Sequence, residues 1–175
     1  EILEQCDQHR AAFQPTNSQA QQNAQIRELS GFEEPGKNLK IINSDAVRGN
    51  GYQVIRMFIE RDKKFKFMLP ALMFIPDGLT GKSPADIFVS QDGKGTSLDP
   101  PDEIMKELNL GHIVLAVDIS NTGELKDKRR PEYDNQEFYI GKLPLYEGKT
   151  LLTYREEDMH IAAHFLQGYK GIESQ

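Results

Sequence analysis

Two short apolar runs, separated by a glycine-rich loop and an amphipathic helix, constrain this chain more than any other feature. "ADIFVS" (Ala85–Ser90) is too short for a typical helix and is flanked by breakers, so it reads as a buried strand. It ends in the polar loop "QDGKGTSLD". "PPDEIMKELNLG" (Pro100–Gly111) reads as a helix, with proline at its start and acids in its first turn. Ile104, Met105 and Leu108 form its apolar stripe, Leu110 continues that stripe, and Gly111 stops it. "HIVLAVDIS" (His112–Ser120) is then a second central strand. Strand, loop, helix and strand in that order make a βαβ unit, hence a parallel pair with a right-handed crossover.

Upstream, the pattern is that of an antiparallel hairpin. "NLKII" is a short apolar run, and "GYQVIRMFIER" (Gly51–Arg61) is a longer one rich in branched and aromatic residues. Val54, Arg56, Phe58 and Glu60 alternate with Ile55, Met57 and Ile59, so one face is more polar than the other. "RDKK" (Arg61–Lys64) has turn composition, and "FKFMLPALMFIP" (Phe65–Pro76) returns as the second strand. Pro70 inside it predicts an edge position or a bulge. Residues 1–37 form an arm, with Gln and Asn supplying nine of its first thirty residues. Ile2, Leu3, Cys6, Ile26 and Leu29 could line weak helical stripes around the break at Pro15, and "EEPGK" (Glu33–Lys37) is a turn. Downstream, 121–150 is a long polar excursion of the kind that usually decorates rather than supports a fold. "LLTYREEDMHIAAHFLQG" (Leu151–Gly168) is the last helix, with Leu152, Met159, Ala162, Ala163 and Leu166 on one face. A parallel sheet calls for another strand after such a helix, and "YKGIESQ" does not supply one.

Composition excludes several function classes. With 175 residues the chain can bury a real core without disulfides. A net charge of −6 offers no global basic field for nucleic acid. "KDKRR" (Lys126–Arg130) has acids on both sides and reads as a solvated charge run. No apolar run reaches the length of a membrane span. One cysteine rules out an intramolecular disulfide framework and a thiolate zinc cluster, and nothing near Cys6 would activate it.

Candidate chemistry is sparse. In "SQDGKGTS" (Ser90–Ser97) two glycines bracket a lysine between a strand and a helix, where open α/β sheets bind ligands. A phosphate-loop reading fails, because Phe88 stands at the first glycine position and Gly95 follows Lys94 directly. The loop either simply reverses the chain or supplies amides to an oxyanion site. His160 and His164 are four apart on the last helix, a spacing that can hold a metal. The H-E-x-x-H order is missing, so they are expected to face solvent, and neither a metal nor a cofactor is expected. Asp118, at a strand end, is expected to cap the following loop rather than act as a catalytic carboxylate. None of the eight serines lies in G-x-S-x-G, so acyl transfer lacks a first step.

The order of these segments resembles the N-terminal half of α/β-hydrolase esterases of the acetyl-xylan-esterase-like and prolyl-oligopeptidase-like group. The resemblance rests on "GYQVIRMFIERDKKFKFMLPALMFIPDG", "SPADIFVSQDGKG" and "ELNLGHIVLAVDISNTGEL", with Val117-Asp118 and Thr122-Gly123-Glu124 matching the family's strand end and turn. "LLTYREEDMHIAAHFL" resembles the helix before the family's nucleophile strand. It implies an α/β fold: a partial α/β-hydrolase sheet with an N-terminal antiparallel hairpin, a parallel βαβ unit and a final helix. The arm would be 1–37 and the incomplete hydrolase domain 38–175. It also implies a parent that hydrolyses an acyl or carbohydrate ester through a serine, with nucleophile elbow, acid and histidine beyond Gln175 and this chain inactive alone. Asp92, Gly93 and Lys94 are the oxyanion-loop candidates, although Gln91-Asp92-Gly93 stands where the family usually has His-Gly. The exposed edge awaiting a nucleophile strand implies self-association. The alternatives are a non-catalytic carbohydrate- or protein-binding module and a structural domain of a larger assembly. The resemblance, the single cysteine and a first residue other than Met lean toward an exported bacterial protein.

Overall fold

The computed structural model describes residues 18–36, 38–60, 68–126, 141–142 and 144–172. Five strands form one mixed sheet. They are β1 (Lys40–Arg48), β2 (Tyr52–Glu60), β3 (Met68–Pro76), β4 (Ala85–Phe88) and β5 (Ile113–Val117). Their order across the sheet is β1-β2-β3-β5-β4. β1 to β3 form an antiparallel meander, β5 runs antiparallel to β3, and β4 is parallel to β5. Three helices of eight or more residues accompany the sheet among the described residues: α1 (Gln19–Ser30), α2 (Asp102–Asn109) and α3 (Leu151–Gly168). None of them is long and apolar enough to cross a membrane.

The period of two along the strands explains how the helices are placed. Leu69, Ala71 and Met73 of β3 and Ile113, Leu115 and Val117 of β5 share one face, and Ile161, Ala162, Phe165 and Leu166 of α3 cover it. The alternate residues, Leu72 and Phe74 with Val114 and Ala116, face Ile104 and Leu108 of α2. β5 is therefore buried at all five positions, as a strand covered on both sides must be. The βαβ unit with its parallel β4–β5 pair is as the sequence predicts. β2 is apolar on both faces only where both are covered. Val54 lies under α2, whereas Arg56 on the same face is exposed and bonds Asp45 of β1 through Nε at 3.2 Å.

Four expectations need correction. Pro70 lies neither on an edge strand nor at a bulge, since β3 is hydrogen-bonded on both sides and its register with β2 is unbroken. The ladder to β5 runs from Phe74↔Val114 to Ala71↔Val117, and the Pro70 carbonyl accepts from Asp118 N at 3.1 Å just past it. The missing N–H thus falls at the last rung, where β5 leaves the sheet. β4 is half-buried rather than buried, because it is a terminal strand of the sheet. Leu110 is 69% exposed, because it stands beyond the last turn of α2.

The fourth correction concerns α3. Its buried residues are Thr153, Glu157, Asp158, Ile161, Ala162, Phe165 and Leu166, whereas Leu152 is 74% exposed. The inward face is rotated from the one its apolar residues suggest, because two carboxylates are buried with partners. Glu157 Oε1 accepts from Glu33 N at 2.8 Å and from Lys149 Nζ at 2.9 Å. Asp158 Oδ2 accepts from Ser120 N at 2.8 Å and Ser120 Oγ at 2.6 Å. After α3 an isolated parallel bridge joins Ser83 and Ile172, with Ser83 N donating to Gly171 O at 3.1 Å.

α1 is capped by Ser18 and ended by left-handed Gly31, yet buries no side chain. Ile26 and Leu29, expected on a stripe, are exposed, and residues 1–17, Cys6 among them, lie outside the described residues. The rotated face of α3 makes a direct prediction. Ile161→Ala should cost about 3 kcal/mol of stability through cavity formation, and Leu152→Ala less than about 0.5 kcal/mol, read from urea denaturation midpoints. Comparable losses from the two would show that the helix is docked on its other face.

Candidate active-site cleft

The cleft lies at the C-terminal ends of β4 and β5, the end of a parallel pair at which α/β sheets bind ligands. Its volume is about 450 Å³, between loop residues 91–96 and Asp118, Gly123, Glu124 and Lys126 beyond β5. One carboxylate organises both walls. Asp118, 1% exposed, follows the last residue of β5. Its Oδ1 accepts from Lys94 N at 2.7 Å; its Oδ2 accepts from Lys94 Nζ at 2.6 Å and from Glu124 N at 3.0 Å. The Lys94 ammonium also donates to Glu124 Oε1, whose side chain is 61% exposed. A buried ammonium and a buried carboxylate thus neutralise each other, and the amide donors satisfy the remaining carboxylate lone pairs.

Such close packing of two loops has a backbone requirement. Gly93 has φ +98° and Gly123 φ +47°, conformations that L side chains rarely adopt. A methyl group on Gly93 would sit 2.6 Å from the Gly123 Cα, and one on Gly123 would overlap the Asp118 carboxylate. The two glycines allow the loops to touch and leave room for Asp118 between them.

Asp118 caps the following loop, as the sequence predicts. The three oxyanion-loop candidates do come to the cleft, but their amides are already engaged. Asp92 N donates to Ser90 Oγ at 3.2 Å, Gly93 N to Ser90 O at 3.1 Å, and Lys94 N to Asp118. They shape the loop. Gln91 also lines the cleft, and among the described residues it makes no hydrogen bond. Sequence reasoning missed the Lys94–Asp118–Glu124 network, for the lysine and Asp118 lie 24 positions apart and no spacing rule connects them.

No serine hydroxyl is bonded to a histidine among the described residues. Ser120, at a strand end, donates instead to the buried Asp158 carboxylate. His112 Nδ1 lies 2.7 Å from Asp86 Oδ2 and 3.2 Å from Glu107 Oε2. His160 and His164 are partly covered rather than facing solvent, with side-chain exposures of 36% and 22%, because residues 32–34 fold over this part of α3. Of "KDKRR" only Lys126 is described, and it borders the cleft.

Replacing Lys94 by Met should cost about 3 kcal/mol, because it leaves the buried Asp118 carboxylate without its cation. Gly123→Ala should cost about 2 kcal/mol or more, since it combines left-handed strain with an overlap. Both are read as shifts in chemical denaturation. A neutral result for both would mean that the two loops do not meet around Asp118.

No protein-family model matches the sequence, and no curated protein matches it. Solved structures that it resembles include esterases. One is a Bacteroides fragilis protein assigned as an acetyl xylan esterase, with TM-score 0.63 and 21% identity, aligned over 86% of this chain and 42% of that one. Acetyl xylan esterase 1 from a Thermoanaerobacterium species superposes with TM-score 0.58 and 13% identity, over 86% of this chain and 45% of that one. A promiscuous CE15 esterase from a marine bacterial metagenome gives TM-score 0.53 and 14% identity, over 86% and 47%. The chain thus spans less than half the length of each of these proteins. Its mixed sheet, with helices on both faces, has a partial α/β-hydrolase-like fold that matches part of each of these structures.

Proposed function

We propose that this chain is the N-terminal part of a serine carboxylic-ester hydrolase, acting on acetylated carbohydrate, and that residues 1–175 alone are inactive. In this reading residues 1–37 are an arm and 38–175 belong to the hydrolase domain. The observation that carries it is the cleft at the C-terminal ends of β4 and β5, in a sheet with the esterase strand arrangement. Acyl transfer needs donors aimed at the oxygen that becomes an oxyanion. The donor on this side is the Gln91 amide, held at the cleft by a loop that Ser90, Gly93 and the Asp118–Lys94 pair fix in place. Preorganisation of this kind costs no rearrangement during the reaction, which is why a buried clamp under the loop suits the role.

The nucleophile would come from a strand lying along the outer edge of β4. Among the described residues that edge carries only the Ser83–Ile172 bridge, and Ala85 and Ile87 beside it pack on the core. A parallel strand continuing from that bridge would bring its C-terminal end to the cleft, where a strained strand-to-helix turn can present a serine. Without that strand the same edge offers unpaired backbone groups and should draw copies of residues 1–175 together.

Three measurements test this reading: the coding sequence, the chemistry of the purified chain and its state of association. The coding sequence after the codon for Gln175 should encode an apolar strand and G-x-S-x-G within about 20 residues. Purified residues 1–175 should give no p-nitrophenyl acetate turnover above background and no labelling by a fluorophosphonate. Labelling of a serine within the chain would overturn the assignment, and a clean monomer by light scattering would refute the edge association.

A further inference from the structure

A second cluster of chemical groups lies outside the cleft. His160 and His164 are four residues apart on α3, a spacing that places both imidazoles on one side of a helix. Above them the chain following α1 brings in Glu34. Its Oε1 stands 3.2 Å from His160 Nδ1 and 3.7 Å from His164 Nε2. The three residues each offer one donor atom, and these atoms all lie within 4.8 Å of one another. In a tetrahedral zinc site with bonds of about 2.0–2.1 Å, neighbouring donors are about 3.3–3.4 Å apart. The two measured separations bracket that value.

The surroundings hold the donors in this arrangement. Arg27 Nη1 lies 3.6 Å from Glu34 Oε2, which leaves Oε1 for the two histidines. The Phe32 ring packs on the His160 ring at 4.9 Å, and Arg27 in turn lies 5.2 Å over Phe32. His164 is the most telling of the three. Its Nδ1 is buried with no hydrogen-bond partner, and its Nε2 is too far from Glu34 for a hydrogen bond. Among the described residues Nδ1 has no partner, and Nε2 lies toward Glu34 Oε1. The cluster of Asp86, Glu107 and His112 differs, since both carboxylates converge on the single Nδ1 of His112, as in an ion-paired histidine.

We infer that Glu34, His160 and His164 form a site for a divalent transition metal of the zinc type, with water completing the coordination. Two imidazoles and one carboxylate suit zinc, cobalt or nickel better than calcium or magnesium, which take oxygen ligands. The metal would clip the segment after α1 to α3. Other bonds to α3 here include Thr153 Oγ1 to Ser30 O at 2.7 Å and Glu33 N to Glu157 Oε1. The sequence shows the His160–His164 spacing but not the third ligand, which comes from 126 residues before His160.

The test is zinc titration of the chelator-treated chain by calorimetry, with a parallel thermal melt. Binding of one zinc per chain at micromolar or tighter affinity, with a raised melting temperature, is expected. His160→Gln, His164→Gln and Glu34→Gln should each weaken binding at least ~10-fold, and His112→Gln should leave it unchanged. Imidazole ¹⁵N shifts in the unsubstituted protein give a readout independent of how the variants fold. His160 Nδ1 and His164 Nε2 should move on zinc addition while His112 does not. The inference is overturned if no saturable binding occurs below ~1 mM, or if His112 and not His164 carries the response.

Discussion

Complete burial of β5 on both faces is the constraint from which the rest of the structure follows. Ile113, Leu115 and Val117 need apolar cover on one side, and Val114 and Ala116 need it on the other. A single helix cannot provide both. α2, the crossover between β4 and β5, takes one face, and α3 takes the other. Once both faces are occupied, the ends of the strands are where the chain can open a cleft. At the C-terminal end two loops leave neighbouring strands, and the backbone groups released there need partners. Asp118 meets part of that need by accepting from the amides of Lys94 and Glu124. The cleft is therefore a consequence of strand burial, and its rigidity comes from one carboxylate placed where β5 ends.

Buried charge recurs where loops must be fixed to the sheet. Asp158 holds Ser120 by its amide and hydroxyl, and Arg155 Nε donates to Ser120 O at 3.1 Å. The segment just beyond Asp118 is thus held from α3 as well as from the β4 loop. Glu157 does the same for the segment after α1. In each case a carboxylate with at least two donors replaces an apolar contact. The gain lies in direction: apolar packing tolerates sliding, whereas a carboxylate bonded to named amides does not. This accounts for α3 turning Glu157 and Asp158 inward while leaving Leu152 in solvent.

How much of this was legible in the sequence depends on the range of the forces involved. The strands from Tyr52 to Val117 and the helix at 151–168 could be read because apolar periodicity and breakers act within a few residues. The inward face of α3 could not, since the burial of Glu157 depends on Glu33, 124 residues away. Pro70 misled for a similar reason: the rule that proline avoids central strands is local, and the end of the neighbouring strand suspends it. Of the site, the loop could be located but the direction of its amides could not. Gly93 and Gly123 look like ordinary turn glycines until their loops are seen to touch.

The two edges of the sheet differ in their chemistry. On β1 the register shifts between Ile42 and Asp45, and Lys40, Asp45 and Arg48 pair with Glu60, Arg56 and Asp77. Irregularity and charge of that kind discourage a further strand. β4 keeps an unbroken register. Its four residues are regular and half-buried, Ala85 and Ile87 pack into one core and Phe88 into the other, and Asp86 is engaged with His112. Ser83, just before β4, is 3% exposed, and its hydroxyl donates to Gly111 O. Among the described residues this edge also makes one parallel rung, at Ile172. The asymmetry between the edges is thus a property of the fold, independent of any likeness to other proteins.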